Sequence, residues 1–156
     1  MQVLLLSIAI IVLDQITKYW VTLKFYLGES VAIIPGFFSL TYVRNTGAAW
    51  GMLGGWNGLL VGLSSVVLVT LILFRRSFLT DTPIHRVSSG LMIGGIAGNL
   101  LDRIRLHYVV DFLDFFWTSY HFPAFNVADS AICIGVGLYM LSSLLAPEKA
   151  AGGKTD

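Results

Sequence analysis

A chain of 156 residues with 56% hydrophobic and only 12% charged side chains is too apolar for an ordinary soluble domain of its length. A net charge of +1 argues against a polybasic nucleic-acid binder, and a single cysteine, Cys133, excludes an internal disulfide framework. The mean hydropathy of +0.78 points the excess apolar surface at lipid.

The first apolar run, about residues 3–23 ("VLLLSIAIIVLDQITKYWVTL"), is long enough to cross a bilayer as a helix. It has no basic leader and no small-residue cleavage site, and it contains Asp14 and Lys18, so it reads as a retained helix rather than a secretory signal. Asp14 and Lys18 stand one helical turn apart and are expected to pair. An outer link, residues 25–57, follows. Within it, residues 30–45 are rich in β-branched and aromatic side chains around Pro35-Gly36, which predicts strands.

The second and third runs, about 58–74 and 87–101, are shorter. Gly90, Gly94 and Gly98 repeat every four residues on the third and make a smooth packing face. Asn99, Asp102 and Arg103 cluster at its outer end, where a structural and a substrate-binding role are both open. A second outer link, 105–126, is aromatic and carries Asp111, Asp114 and His121. The last helix is expected over 127–145, with Cys133 as a small buried hydrophobe, and about 148–156 reads as a disordered tail. The fold class is therefore an all-α integral membrane protein of four transmembrane helices, with a small β-containing extracytoplasmic region, in one domain. Arginine density in the link bearing Arg75, Arg76 and Arg86 places both termini in the cytoplasm.

Asn126 stands three residues before Asp129, a spacing that resembles a helix N-cap with an acidic partner in the first turn. Asp111 has no such pattern and no adjacent base, while Asp114 looks like an interfacial charge or loop hydrogen-bonder. If the link folds back, Asp111 and Asp129 can meet. Two carboxylates in a low dielectric share one proton, which is the chemistry of an aspartic peptidase. Spacing alone leaves other readings open: a proton- or ion-coupled transporter using Asp14, Asp102 and Asp129, or a non-catalytic scaffold. A zinc site from His107, Asp111 and His121 lacks a known ligand spacing. Serine catalysis at Ser64, Ser65, Ser88 or Ser89 finds no histidine within a predicted helix, and a Ser-Lys pair using Lys18 has no supporting pattern.

Five segments in order carry a resemblance across nearly the whole chain: "DQITK" at 14–18, "NTGAAWG" at 45–51, "GGIAGNLLDR" at 94–103, "VVDF" at 109–112 and "FNVAD" at 125–129. The chain resembles the lipoprotein signal peptidases (signal peptidase II), departing mildly at Trp50, where phenylalanine is more usual. The resemblance implies Asp111 and Asp129 as the catalytic dyad. It gives Asn45, Asn99, Asp102, Arg103 and Asn126 supporting or substrate-binding roles, and Asp14 and Lys18 roles in the first helix. It implies a bacterial prolipoprotein substrate whose cysteine bears a diacylglyceryl group, cut just before that cysteine at the outer side of the cytoplasmic (inner) membrane. It also implies membrane lipid as a partner, inhibition by globomycin-like cyclic peptides, and neither a metal nor an organic cofactor.

Overall fold

The computed structural model describes residues 1–48, 52–78, 82–118 and 120–145, without the side chains of 75–78. Trp50 and the tail expected from about 148 lie outside the described residues. In chain order the elements are α1 (Gln2–Lys24), β1 (Ser30–Ile34), β2 (Phe38–Asn45), α2 (Asn57–Phe78), α3 (Pro83–Leu106), β3 (Val109–Trp117), β4 (Tyr120–His121) and α4 (Val127–Leu145).

Among the described residues three helices are long and apolar enough to span a membrane: α1, the Asn57–Phe74 part of α2, and α4. Four were expected, and α3 is the exception. It starts before the apolar run, where Thr82 caps His85 N at 3.3 Å and Pro83 sets the first turn, and it continues past the run to Leu106. The extra turns carry His85, Arg103 and Arg105, which dilute its hydropathy. Position explains why this is tolerated. α3 packs along both α1 and α4, so His85, Asp102 and Arg103 are buried against protein, while Arg105 near its end is exposed.

The contact between α1 and α3 rests on small residues. A Cβ added at Gly94 would meet Ile10 Cβ at 2.8 Å and Ser7 O at 2.9 Å, and one at Gly98 would meet Asp14 Oδ2 at 2.7 Å. Close backbone approach also lets Ser7 Oγ donate to Gly90 O across the interface, at 3.1 Å. α2 packs mainly on α3 and is largely exposed over its described side chains, as expected of a helix facing lipid.

The sheet is antiparallel in the order β1-β2-β3-β4. Gly36, at φ 78°, makes the turn between β1 and β2 where Pro35-Gly36 predicted one. β3 falls in a link from which no strand was predicted. It pairs Val43 with Asp111 and Asn45 with Val109 on β2. Val21 of α1, Tyr42 of β2, and Val110 and Phe112 of β3 form a buried core that fixes the sheet against the helices.

Cys133 corrects an expectation, for it is exposed on α4. In a lipid-facing helix an apolar side chain gains little by turning inward, so small size and hydrophobicity do not predict burial. His85 is a second correction, because it lies within α3 once the helix begins at Pro83. The hydroxyls nearby are committed to carbonyls: Ser88 Oγ donates to Gly135 O at 2.6 Å and Ser89 Oγ to His85 O at 2.7 Å.

Candidate active site

Beyond the β3–β4 hairpin the chain returns along β3. Phe125 N donates to Leu113 O at 3.1 Å, and Phe125 O accepts from Leu113 N at 2.8 Å. This return sets Asn126 beside Asp111 just before α4 begins. Asn126 Oδ1 accepts from Asp129 N at 2.9 Å, while Asn126 N donates to Asp129 Oδ2 at 3.3 Å. The reciprocal pair is a capping box with asparagine and aspartate in the two roles, and it fixes the Asp129 carboxylate at the helix N-terminus.

Asp111 and Asp129 line one cavity of about 660 Å³. Asp111 is 2% exposed. Its Oδ2 accepts from Asn45 Nδ2 at 3.0 Å and its Oδ1 from Asn126 Nδ2 at 2.7 Å. Burial, and then the charge of Asp129, push the Asp111 carboxyl up to about 7 against the lowering effect of these two amides. Asp129 Oδ1 accepts from Asn99 Nδ2 at 2.7 Å. Asn126 thus touches both carboxylates. The cavity walls are largely apolar, with Val43, Val109, Phe122, Phe125 and Ile132 among them.

A charged network backs Asp129. Asn99 Oδ1 accepts from Lys18 Nζ at 2.9 Å, and the same ammonium meets Asp14 Oδ2 at 2.8 Å and Asp102 Oδ2 at 3.0 Å. Asp14 Oδ1 accepts from Ala128 N at 3.0 Å, which ties α1 to the first turn of α4. Asp102 Oδ2 accepts from Val110 N at 3.2 Å and anchors the start of β3. Asp102 and Arg103 are therefore directed to different partners. Arg103 Nη2 donates to Gly47 O at 2.7 Å, holding the loop after β2, and its buried Nη1 has no hydrogen-bond partner among the described residues.

The structure thus brings together Asn45, Asn99, Arg103, Asp111, Asn126 and Asp129 at the cavity and its edge. Asp14, Lys18 and Asp102 form the layer behind. Sequence reading gave no role to Gln15, whose amide reaches Asp102 Oδ1 at 2.9 Å and Asp14 Oδ2 at 3.2 Å. Its place beside Asp14 in an apolar run was the available signal. Asp114 belongs elsewhere: it accepts from Thr41 Oγ1 and meets His121 Nδ1, both at 2.9 Å. His107 lies 3.5 Å from Asn57 Nδ2, so His107, Asp111 and His121 do not converge as the zinc reading needs. Among the described residues no three His, Cys, Asp or Glu side chains group to hold a metal.

Known proteins resemble this arrangement over its full extent. The family model described as signal peptidase (SPase) II matches residues 6–145. A lipoprotein signal peptidase of Symbiobacterium thermophilum is 43% identical over 94% of this chain and 96% of its own length. One from Shewanella sediminis is 45% identical over 96% of this chain and 88% of its own. A solved structure described as a bacterial membrane enzyme superposes with a TM-score of 0.85 at 32% identity, covering 99% of this chain and 94% of that one. A second, also described as a bacterial membrane enzyme, gives 0.79 at 34% identity, over 93% of both. Family match, relatives and fold agree, and the chain belongs to the signal peptidase II family.

Proposed function

We propose that this chain is an aspartic endopeptidase that removes signal peptides from diacylglyceryl-modified prolipoproteins, with Asp111 and Asp129 as its catalytic dyad. The observation that carries the reading is the pair of carboxylates on one cavity, bridged by Asn126, with Asp111 raised to about 7. Family membership supports a peptidase and leaves the transporter reading without support.

The resting dyad shares one proton, held on Asp111, while Asp129 is ionised at the helix N-terminus. Asp129 takes a proton from a water as its oxygen attacks the scissile carbonyl carbon, and Asp111 gives its proton to the carbonyl oxygen. In collapse of the tetrahedral intermediate the C–N bond breaks. The leaving nitrogen takes the proton held by Asp129, and Asp111 recovers one from the hydroxyl. Asn45, Asn99 and Asn126 hold the carboxylates in place. The apolar walls suit a substrate whose acyl chains and signal helix lie in the bilayer. In this reading α3 is a fourth span, screened from lipid by its neighbours. The protein lies in the bacterial cytoplasmic membrane, with both termini inside and the sheet and dyad outside. Cyclic peptides of the globomycin class would compete for the same cavity.

Incubating the purified protein with a lipid-modified precursor tests the proposal. The wild type should yield two fragments. Asp111→Asn and Asp129→Asn should each lose at least about 100-fold in cleavage rate while remaining folded. Asp114→Asn should retain substantial activity, since Asn can still accept from Thr41. A dead Asp114 variant beside an active Asp111 variant would overturn the assignment.

A further inference from the structure

A second cavity, of about 700 Å³, lies on the α1 side of the sheet and shares only Arg44 with the lining of the first. Lys18, Arg44 and Arg105 line it against a single carboxylate, Asp102. Lys18 lies between Asp102 and Asp14 and meets both, so three cations stand against two carboxylates and the group keeps a net positive charge. Arg44 Nε donates to Tyr42 Oη at 3.0 Å, and the group packs over the Tyr108 and Tyr42 rings at 4.9 and 5.6 Å. These aromatic contacts orient a planar cation but bring it no negative charge. Neither Arg44 nor Arg105 pairs with a carboxylate among the described residues.

The level of this cavity is informative. Ile16 and Tyr19 line it from α1 and are 60% and 66% exposed, on a helix whose outward face is apolar along its length. Tyr26 and Leu27, where α1 gives way to the sheet, are 84% and 57% exposed and also line it. Tyrosines at a helix end mark the headgroup zone of a bilayer. The cavity therefore joins an aromatic, doubly cationic mouth to a surface that acyl chains would cover.

We propose that this groove binds one anionic phospholipid. Its phosphodiester sits between Arg44 and Arg105, and an acyl chain runs past Tyr19 and Ile16 along α1. Guanidiniums match phosphate oxygens in number and geometry, and the groove's surplus positive charge disfavours a headgroup that carries its own cation. The site is separate from the dyad and does not depend on the cleavage reaction.

The test uses the full chain in detergent, delipidated and then offered phosphatidylglycerol, phosphatidylcholine or inorganic phosphate, with bound lipid counted by native mass spectrometry. The wild type should retain one phosphatidylglycerol per chain with a preference of about tenfold over phosphatidylcholine. Arg44→Gln with Arg105→Gln should abolish that preference. Arg105→Gln alone, at an exposed position, should weaken it about threefold, and Arg105→Lys should restore most of it. Inorganic phosphate in tenfold excess should leave the lipid bound. Equal retention of the two lipids by the wild type, or an unchanged preference in folded Arg105→Gln, would overturn the proposal. Displacement by inorganic phosphate would overturn the lipid as the source of the anion.

Discussion

Asp111 is the residue whose ordinary chemistry is most altered, and its proton carries a stability consequence. An aspartate that titrates at about 7 in the folded chain and near 3.8 when unfolded binds a proton more tightly when folded. Stability is therefore fully present below about pH 4 and falls as pH rises towards 7, with a limiting cost on the order of 4 kcal/mol. Asp111→Asn abolishes that penalty. Its melting temperature should match the wild type near pH 4 and exceed it increasingly towards pH 8. Wild-type activity should also fall, above about pH 7, as the shared proton is lost. Asn45 donates to the ionised carboxylate and lowers its pKa, so Asn45→Ala should move the alkaline limb of the pH–rate profile to higher pH. A limb that stays in place would dissociate that amide from the titration. The cap at Asn126 could be read from a three-residue spacing. The contact of Asn126 with Asp111 could not, because it arises only when the chain returns along β3.

At the scale of elements, the glycine face of α3 could be read from periodicity, and its use against α1 is what holds Lys18 within reach of Asn99. Gly94→Ala places a methyl group against Ser7 O and Ile10, where backbone has to yield. It should cost about 1–3 kcal/mol and reduce cleavage, measured by melting and by fragment yield. Gly137→Ala, with open space around it, should change neither. The helix ends of α3 were less legible. A run defined by hydrophobicity stops where polar side chains begin, yet Thr82-Pro83 was a readable start signal. β3 was harder still. "VVDFLDFFW" is buried on both faces at its first four positions, so it lacks the polar–apolar alternation of a half-exposed strand.

For the whole molecule, the proposed mechanism needs the sheet and dyad on the side where precursors display their cleavage site. In a Cys133→Ala background, single cysteines at Ser77 and Tyr120 can be probed in intact cells with a membrane-impermeant thiol reagent. Position 120, whose tyrosine is 72% exposed, should label, and position 77 only once the membrane is opened. Labelling at 77 alone would invert the protein. The membrane class was legible because it depends on residue type, while spacing and motif order pointed to Asp111 and Asp129, which line one cavity. The second cavity was not, because Arg44 and Arg105 lie far apart in sequence and come to line one cavity only in the folded chain.

The central place of α3 has a consequence for how the chain is made. Carrying Asp102 and Arg103, it would partition poorly into lipid alone, and Asp102 is neutralised by a lysine on α1. In the proposed four-span arrangement, α3 therefore depends on α1 being present when it enters the bilayer. A chain deprived of α1 should stall with α3 outside the bilayer, a substrate for the membrane's quality-control proteases.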